Sequence, residues 1–595
     1  MSAEVAAAWR VGEPLVDRLA TWADARPDAP AYTFVDYLER PEGVPRTYTW
    51  RQVHRRSVAL ARRLRRVAAP GERVAVLAPS GLEYVIALFA AWYAGAVAVP
   101  LFAPDLPGHA DRLAATYEDA APGCVVTVSA AEARVREFVT ARRHRATVLV
   151  IDASGEPESG WRPSPVDLDD VAYLQYSSGS TRAPSGVEIT HRNLSANVGQ
   201  LCATMTGDRR AFTAVNWLPL FHDMGLLATV AVPLWGGTDS VLFDPAAFLM
   251  RPVRWLRLLS GRPAAYTCAP NFAYDYCVRR LAPEDLSGLD LRGVFVWLNG
   301  AEPVLASTFE RFAAMLRGAG TGIDERALCA AYGLAEATVF VAGDRLDRAP
   351  TVTRFDARRL GTGTAVPAAD GADASSLISC GPPAGQQVVI ADPESATAVP
   401  PGRVGEIWVH GPNVARRYWR QPERSAQVFG AALTGPRPDG LPAGPWLRTG
   451  DLGLLHDGDL YVTGRLKDLL IVAGRNHYPQ DIEATVSEVS PAIGRAAAFT
   501  VPADSPERVV VVAERSRAAH GRWQPAEITR AVRQSVWQRH DLALHEVVLT
   551  APGAVPRTTS GKISRTACRE RYLAGYFDQP SPAGVREPDA AVADA

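Results

Sequence analysis

Lysine is almost missing from this chain. Of its 63 basic residues only Lys467 and Lys562 are lysines, so arginine meets every other demand for positive charge. A compact ammonium on a flexible stem and a rigid planar guanidinium are not interchangeable, which makes both lysines candidates for a specific geometric task. A charge excess is missing too: the formal net charge of -1 offers no general attraction to nucleic acid or to an anionic membrane surface. No stretch reaches the roughly 18 apolar residues of a membrane span, and the N-terminal MSAEVAAAWRVGEP lacks a basic segment followed by a long apolar one. The expectation is a cytoplasmic protein with no membrane span and no nucleic-acid partner. Cysteine is sparse, and Cys124, Cys202, Cys268, Cys277, Cys329, Cys380 and Cys568 form no CxxC pair. An odd number of scattered thiols suggests reduced, buried side chains instead of a disulfide frame or a metal site.

What the chain does have is length and apolar content. With 595 residues, 47% of them hydrophobic, it can bury several cores, so two or more domains are expected. Residues 49–67 place Trp50, Val53, Leu60, Leu64 and Val67 on a helical stripe, with Thr49 and Gln52 at capping-box spacing and seven arginines on the solvated face. Residues 74–77, 124–128 and 147–151 are short apolar runs separated by helical patterns. Such alternation predicts an α/β fold with helices on the faces of a mostly parallel sheet.

The stretch from Tyr176 to Gly186, YSSGSTRAPSG, lies between the apolar runs 171–174 and 187–189. Glycines and hydroxyl residues packed so closely suit a loop that exposes N–H and hydroxyl donors to phosphate oxygens. It is not the Walker loop, since no lysine follows the second glycine, and on composition alone it reads equally as a surface turn. Downstream, VNWLPLFHDMGLL (215–227) and VFVWLNGAE (294–302) each run a strand-like segment into polar or glycine residues, where open α/β sheets bind ligands. AAYGLAEATVF follows, in which Tyr332 offers a flat ring and Glu336 a carboxylate. WLRTGD ends at Asp451, YVTGRLKDLLIVAGRNHYPQDIE spans 461–483, and VPRTTSGKISR carries Lys562.

In this order and at these separations the six motifs resemble the adenylate-forming superfamily of acyl-CoA synthetases, luciferases and peptide-synthetase adenylation domains. The forms YSSGSTRAPSGV, LPLFHDMGL, NGAEPV and GRNHYPQDIE are most similar to the fatty acyl-AMP ligases. That resemblance implies a large N-terminal domain of two packed α/β sheets plus a small β-barrel (1–466), and a smaller mobile α+β domain (467–577) with Lys467 at the hinge. Residues 578–595, rich in Pro, Ala and acidic side chains, read as a disordered tail.

The resemblance also implies roles. Ser177, Ser178, Gly179, Ser180, Thr181 and Arg182 would cradle the phosphates of ATP, with Thr181 and Glu336 holding Mg2+. Gly300, Ala301, Glu302, Tyr332 and Gly333 would border the adenine, and Asp451 and Arg465 would bind the ribose. His222, Asp223 and Gly225 would line the acyl channel, and Lys562 would bridge the carboxylate and the α-phosphate. The usual TSGTTGxPKG has its second glycine replaced by Arg182 and its lysine by Ser185, so no loop lysine is available to the phosphates and Arg182 is the candidate to compensate.

The implied activity is ATP-dependent conversion of a fatty acid to acyl-AMP and transfer of the acyl group to the phosphopantetheine thiol of a carrier protein. An acyl-CoA synthetase is the alternative, and an amino-acid adenylation domain, with Asp223 binding the amino group, a weaker one. A silent nucleotide-binding protein would be expected to have lost Glu336 or Lys562. Residues 344–379 read as a weakly periodic surface excursion and resemble the insertion that distinguishes the acyl-AMP ligases from the synthetases.

Overall fold

The computed structural model describes residues 12–104, 109–152, 163, 165–176, 184–207, 209, 211–344, 346–371, 373–437, 439–472, 475–501, 508–516, 524–557 and 562–577. The chain forms two compact units. Among the described residues of the first, an eight-stranded sheet runs in the order Ala342–Gly343, Leu328–Tyr332, Val294–Asn299, Ala265–Ala269, Thr213–Asn216, Asp239–Phe243, Pro30–Asp36 and Val44–Thr49. Its six inner strands are parallel, and an antiparallel strand closes each edge. A seven-stranded sheet follows the order Arg417–Tyr418, Gly186–Thr190, Val171–Tyr176, Val97–Pro100, Arg73–Val76, Cys124–Thr127 and Thr147–Val150. The short apolar runs read from the sequence are therefore strands of this second, mostly parallel sheet.

The helix Leu82–Tyr93 buries every residue except Glu83 and touches strands of both sheets. A helix that is apolar all round has no face left for water, and this one forms part of the core between the layers. The helix Trp50–Leu64 begins as its sequence predicts: Gln52 N–H donates to Thr49 Oγ1 (3.3 Å) and Thr49 N–H to Gln52 Oε1 (3.0 Å). It ends earlier than expected, because Val67 lies beyond the last turn and is exposed. All seven cysteines are buried free thiols.

A smaller sheet joins Gln387–Ala391, Gly405–His410, Leu447–His456 and Asp459–Arg465. A small barrel was expected in this domain, and no closed barrel appears among the described residues. The 344–379 stretch is also more ordered than its composition suggested, with strands Val352–Asp356 and Ala374–Ile378 paired around the short helix Ala357–Gly361. Its apolar content is too thin to show a period, yet Phe355 is fully buried and packs edge-on against Tyr461 and His456.

The second unit contains Asp356–Ala374 together with the chain from Thr463 onward. Its described core is the sheet Ile493–Val501, Arg508–Arg515 and Glu546–Thr550 with helices Pro479–Val489, Pro525–His540 and Arg565–Leu573. The helix Ala357–Gly361 lies against Arg475–His477 within this unit.

Candidate active site

Parallel strands deliver their carboxyl ends to one edge of a sheet, where ligand-binding loops of α/β proteins gather. Thr213–Asn216, Val294–Asn299 and Leu328–Tyr332 all run parallel in the larger sheet. The segments that follow them, 217–225, 300–302 and 333–336, consequently share that edge.

Tyr332 ends its strand and donates from its hydroxyl to Asp451 Oδ2 at 2.8 Å. The ring proposed for the base and the carboxylate proposed for the ribose are thus in direct contact, both largely buried. Gly333 follows at a point of backbone contact: a Cβ there would lie 1.6 Å from the Val339 carbonyl oxygen. Glu336 sits on the short turn Ala335–Ala337, and its Oε1 accepts from the Tyr418 hydroxyl at 2.7 Å. Burial, and after it the Glu336 charge, pushes the Tyr418 phenol well above its ordinary range, so it remains a donor.

Tyr418 was not singled out from the sequence, yet its position is informative. Its backbone pairs with Val187 on the strand Gly186–Thr190, while its hydroxyl reaches Glu336. One side chain thereby fixes the Glu336 turn relative to the strand Gly186–Thr190. Asn197 was missed as well: it is fully buried, accepts from Val339 N–H (3.1 Å) and Phe340 N–H (2.9 Å), and donates to the Phe340 carbonyl (2.7 Å). Asn193, one helical turn earlier, donates to the carbonyls of Pro412 and Val414. The signal available was a row of amides at helical spacing, Asn193, Asn197 and Gln200, the last of which accepts from Asn197 at 3.0 Å.

His222 Nδ1 lies 2.6 Å from Asp223 Oδ1, and the same oxygen accepts from Met224 N–H at 2.7 Å. Asp223 is therefore engaged by a helix start and an imidazole, which leaves it a poor receptor for a substrate amino group. A Cβ on Gly225 would sit 2.1 Å from the Pro219 carbonyl oxygen, so this turn closes only with glycine. Gly300 passes close to the Ala331 carbonyl, and Ala301 holds φ 68°, a left-handed conformation that strains a residue bearing a Cβ. Glu302 accepts from Phe272 N–H at 2.6 Å, so its carboxylate has a structural duty at the start of helix Asn271–Arg280.

The loop itself is described only at its base. Ser177, Ser178, Gly179, Ser180, Thr181 and Arg182 lie outside the described residues, while Tyr176 and Gly186 face each other as a strand pair. Tyr176 donates to Asp119 Oδ2 at 2.6 Å, and Gln175 donates to the Phe221 carbonyl at 3.1 Å, which ties the loop strand to the His222 segment. In the second unit Arg465 ends the strand Asp459–Arg465, Lys467 lies in the turn Leu466–Asp468, and Lys562 precedes the helix Arg565–Leu573.

Among the described residues no group of three or more His, Cys, Asp or Glu side chains could hold a metal by itself. Magnesium is usually bound through one or two carboxylates plus substrate phosphates. Glu336, held by Tyr418 next to the strand Gly186–Thr190, fits that mode.

A model of the AMP-binding enzyme family matches residues 19–419, and one of the Disco-interacting protein 2-like AMP domain matches residues 467–579. The chain is 42% identical to a long-chain-fatty-acid–AMP ligase, FadD26, of Mycobacterium bovis, over 95% of its own length and 99% of that protein. It is 41% identical to a putative fatty-acid–CoA ligase, fadD25, of Mycobacterium tuberculosis, over 93% of its length and 97% of that protein. The structure of a fatty acyl-adenylate ligase from L. pneumophila, in complex with acyl adenylate and pyrophosphate, superposes with a TM-score of 0.72 at 32% identity, covering 94% of this chain and 96% of that one. Nearly the whole chain takes part in these matches, and the edge where Tyr332, Asp451 and Glu336 gather falls inside them: the chain belongs to the AMP-binding enzyme family and stands there with the fatty acyl-AMP ligases.

Proposed function

We propose that this protein activates a fatty acid with ATP and passes the acyl group to the phosphopantetheine thiol of a carrier protein. The observation that carries the reading is the joined set Tyr332–Asp451 and Glu336–Tyr418 at one sheet edge. A carboxylate is a weak nucleophile facing a triphosphate of like charge, so the site must neutralise charge and hold the two in line. A carboxylate oxygen attacks the α-phosphorus, the bond to the β-phosphate oxygen breaks, and pyrophosphate leaves with its electron pair. The acyl-adenylate then loses AMP when a thiol, giving up its proton, attacks the carbonyl carbon. Tyr332 and Asp451 would orient base and ribose, the Ser177–Thr181 backbone would receive the phosphates, and Lys562 would bridge carboxylate and α-phosphate. Thr181 and Glu336 would hold magnesium, which when bound supplies charge neutralisation on the phosphates. Lys467 would serve as the hinge.

Glu336→Gln tests the metal role, because the amide oxygen can still accept from Tyr418. Its melting temperature should stay near that of the parent, while the magnesium concentration for half-maximal rate rises at least about tenfold. A lower melting temperature with unchanged metal dependence would assign Glu336 to packing alone.

The second reading, an acyl-CoA synthetase, is favoured by the name of the fadD25 relative. Chain connectivity supports the ligase: among the described residues, besides the link at Val462/Thr463, the chain passes between the two units at Phe355/Asp356 and at Ala374/Ser375. These added covalent links would oppose the domain rotation that opens a thiol channel for free CoA. With fatty acid, ATP and magnesium, acyl-AMP should accumulate, CoA should yield little acyl-CoA, and a phosphopantetheinylated carrier protein should start transfer. Excising 358–372, whose flanks are joined by Ala357 N–H to the Asp373 carbonyl (3.1 Å), should permit some acyl-CoA synthesis. Efficient acyl-CoA formation by the intact protein would reject the ligase reading.

A further inference from the structure

Position 185 is where the adenylate-forming pattern carries a lysine and this chain carries a serine. The structure shows what occupies the neighbourhood instead. Arg424, in the first turn of helix Pro422–Phe429, donates from Nη1 to Ser185 Oγ at 2.5 Å and to Gln421 Oε1 at 3.1 Å, and its guanidinium lies 4.2 Å from the centre of the Tyr418 ring. Gln421 in turn donates to the Pro184 carbonyl at 3.1 Å. Ser185 is buried and Arg424 half-buried. Every one of these partners is neutral, and no carboxylate among the described residues makes an ion pair with Arg424. A guanidinium held only by neutral partners keeps its full charge for an anion that completes the site. The ring that carries Arg424 on its face presents its hydroxyl to Glu336, so the cation stands one tyrosine away from the carboxylate placed at the metal position.

We propose that Arg424 supplies, from outside the loop, the positive charge toward the nucleotide's polyphosphate that a lysine at position 185 would otherwise provide. The proposal rests on the reading of this sheet edge as the phosphate site. Ser185 and Gln421 then act as its holders, aiming the planar fork so that it can meet two phosphate oxygens at once. Arg424 is expected to act on binding of the triphosphate and of the departing pyrophosphate, both of which carry the charge that this arrangement leaves uncompensated.

The test is a charge relocation. Arg424→Met should weaken binding of magnesium pyrophosphate, measured by calorimetry on the full-length protein, about 10- to 100-fold, the range for a lost charge-assisted hydrogen bond. kcat/KM for ATP should fall in parallel, with the melting temperature within a few degrees of the parent. Adding Ser185→Lys to that variant returns an ammonium to the loop, in space the shortened side chain vacates, and should recover most of the lost affinity. Normal pyrophosphate binding by Arg424→Met would overturn the proposal. So would a folded Ser185→Lys/Arg424→Met protein that binds no better than Arg424→Met, since that result assigns Arg424 to packing. Because pyrophosphate binding is read without any fatty acid, these outcomes are separate from a failure of the acyl-AMP reading, which would appear as absent pyrophosphate release by the parent protein.

Discussion

Replacing Lys562 by alanine is expected to lower fatty-acid-dependent pyrophosphate release about 100- to 1000-fold, the usual loss when one charge-stabilising donor leaves a site of this kind. Binding of ATP and the melting temperature should change little. The reason lies in how the segment is held. Ile563 bridges to Arg557, Ser564 N–H donates to the Pro556 carbonyl at 2.9 Å, and the buried Ser564 starts the last helix. Arg565 then binds Glu483 through two bonds of 2.7 Å and Asp468 at 3.2 Å. Burial alone would lower the Arg565 pKa, but the two carboxylates hold it above its ordinary value. None of these contacts uses the Lys562 ammonium, so its removal should leave the anchorage intact. Lys562→Arg should also fail, because a planar fork cannot replace a point charge at a transferring phosphate. Near-normal pyrophosphate release from either variant would reject Lys562 as the adenylation lysine.

The anchorage also explains why part of the molecule could be read directly from its residues. Motifs whose chemistry is local survive as written: the Thr49–Gln52 box starts its helix, and the strands on either side of the anion loop pair at Tyr176 and Gly186. Tyr332, Glu336 and Asp451 were legible through the motifs AAYGLAEATVF and WLRTGD, and the fold joins the first and last by one hydrogen bond. Side chains that work by reaching across the fold carried no such mark. Tyr418 and Arg424 fall in RYWRQPER, a stretch with no period, and owe their importance to one backbone pairing beside Val187. Glu302 and Asp223 were read as facing a ligand, and each carboxylate also accepts at a helix start, a duty that only tertiary placement reveals. The 344–379 stretch lost its elements to the same limit: Phe355 alone anchors its first strand, and one buried ring sets no periodicity.

Gly333→Ala is expected to have the other large effect, and its cause is steric. The segment from Tyr332 to Val341 folds back on itself, with Val341 N–H donating to the Tyr332 carbonyl at 2.9 Å. Inside that turn the Gly333 Cα faces the Val339 backbone, and an added Cβ would lie 1.6 Å from the Val339 oxygen and 2.7 Å from its carbonyl carbon. Both are main-chain atoms, so no rotamer change can relieve the overlap. Nor can Val339 retreat freely, because Asn197 holds its N–H and both polar groups of Phe340. The methyl must therefore push apart the strand end bearing Tyr332 and the turn bearing Glu336. Overpacking of this kind costs about 3 kcal/mol of stability. A displacement of about 1 Å between groups that must act on one nucleotide costs about 100-fold in rate. Gly300→Ala is the internal comparison, since its Cβ would stand 3.1 Å from the nearest backbone atom and calls for a shift of only a few tenths of an ångström. Thermal melting and pyrophosphate release should rank Gly333→Ala far below Gly300→Ala. Equal behaviour of the two would mean that the turn is free to open, and with it the idea that backbone contact at Gly333 sets the distance from Tyr332 to Glu336 would fall.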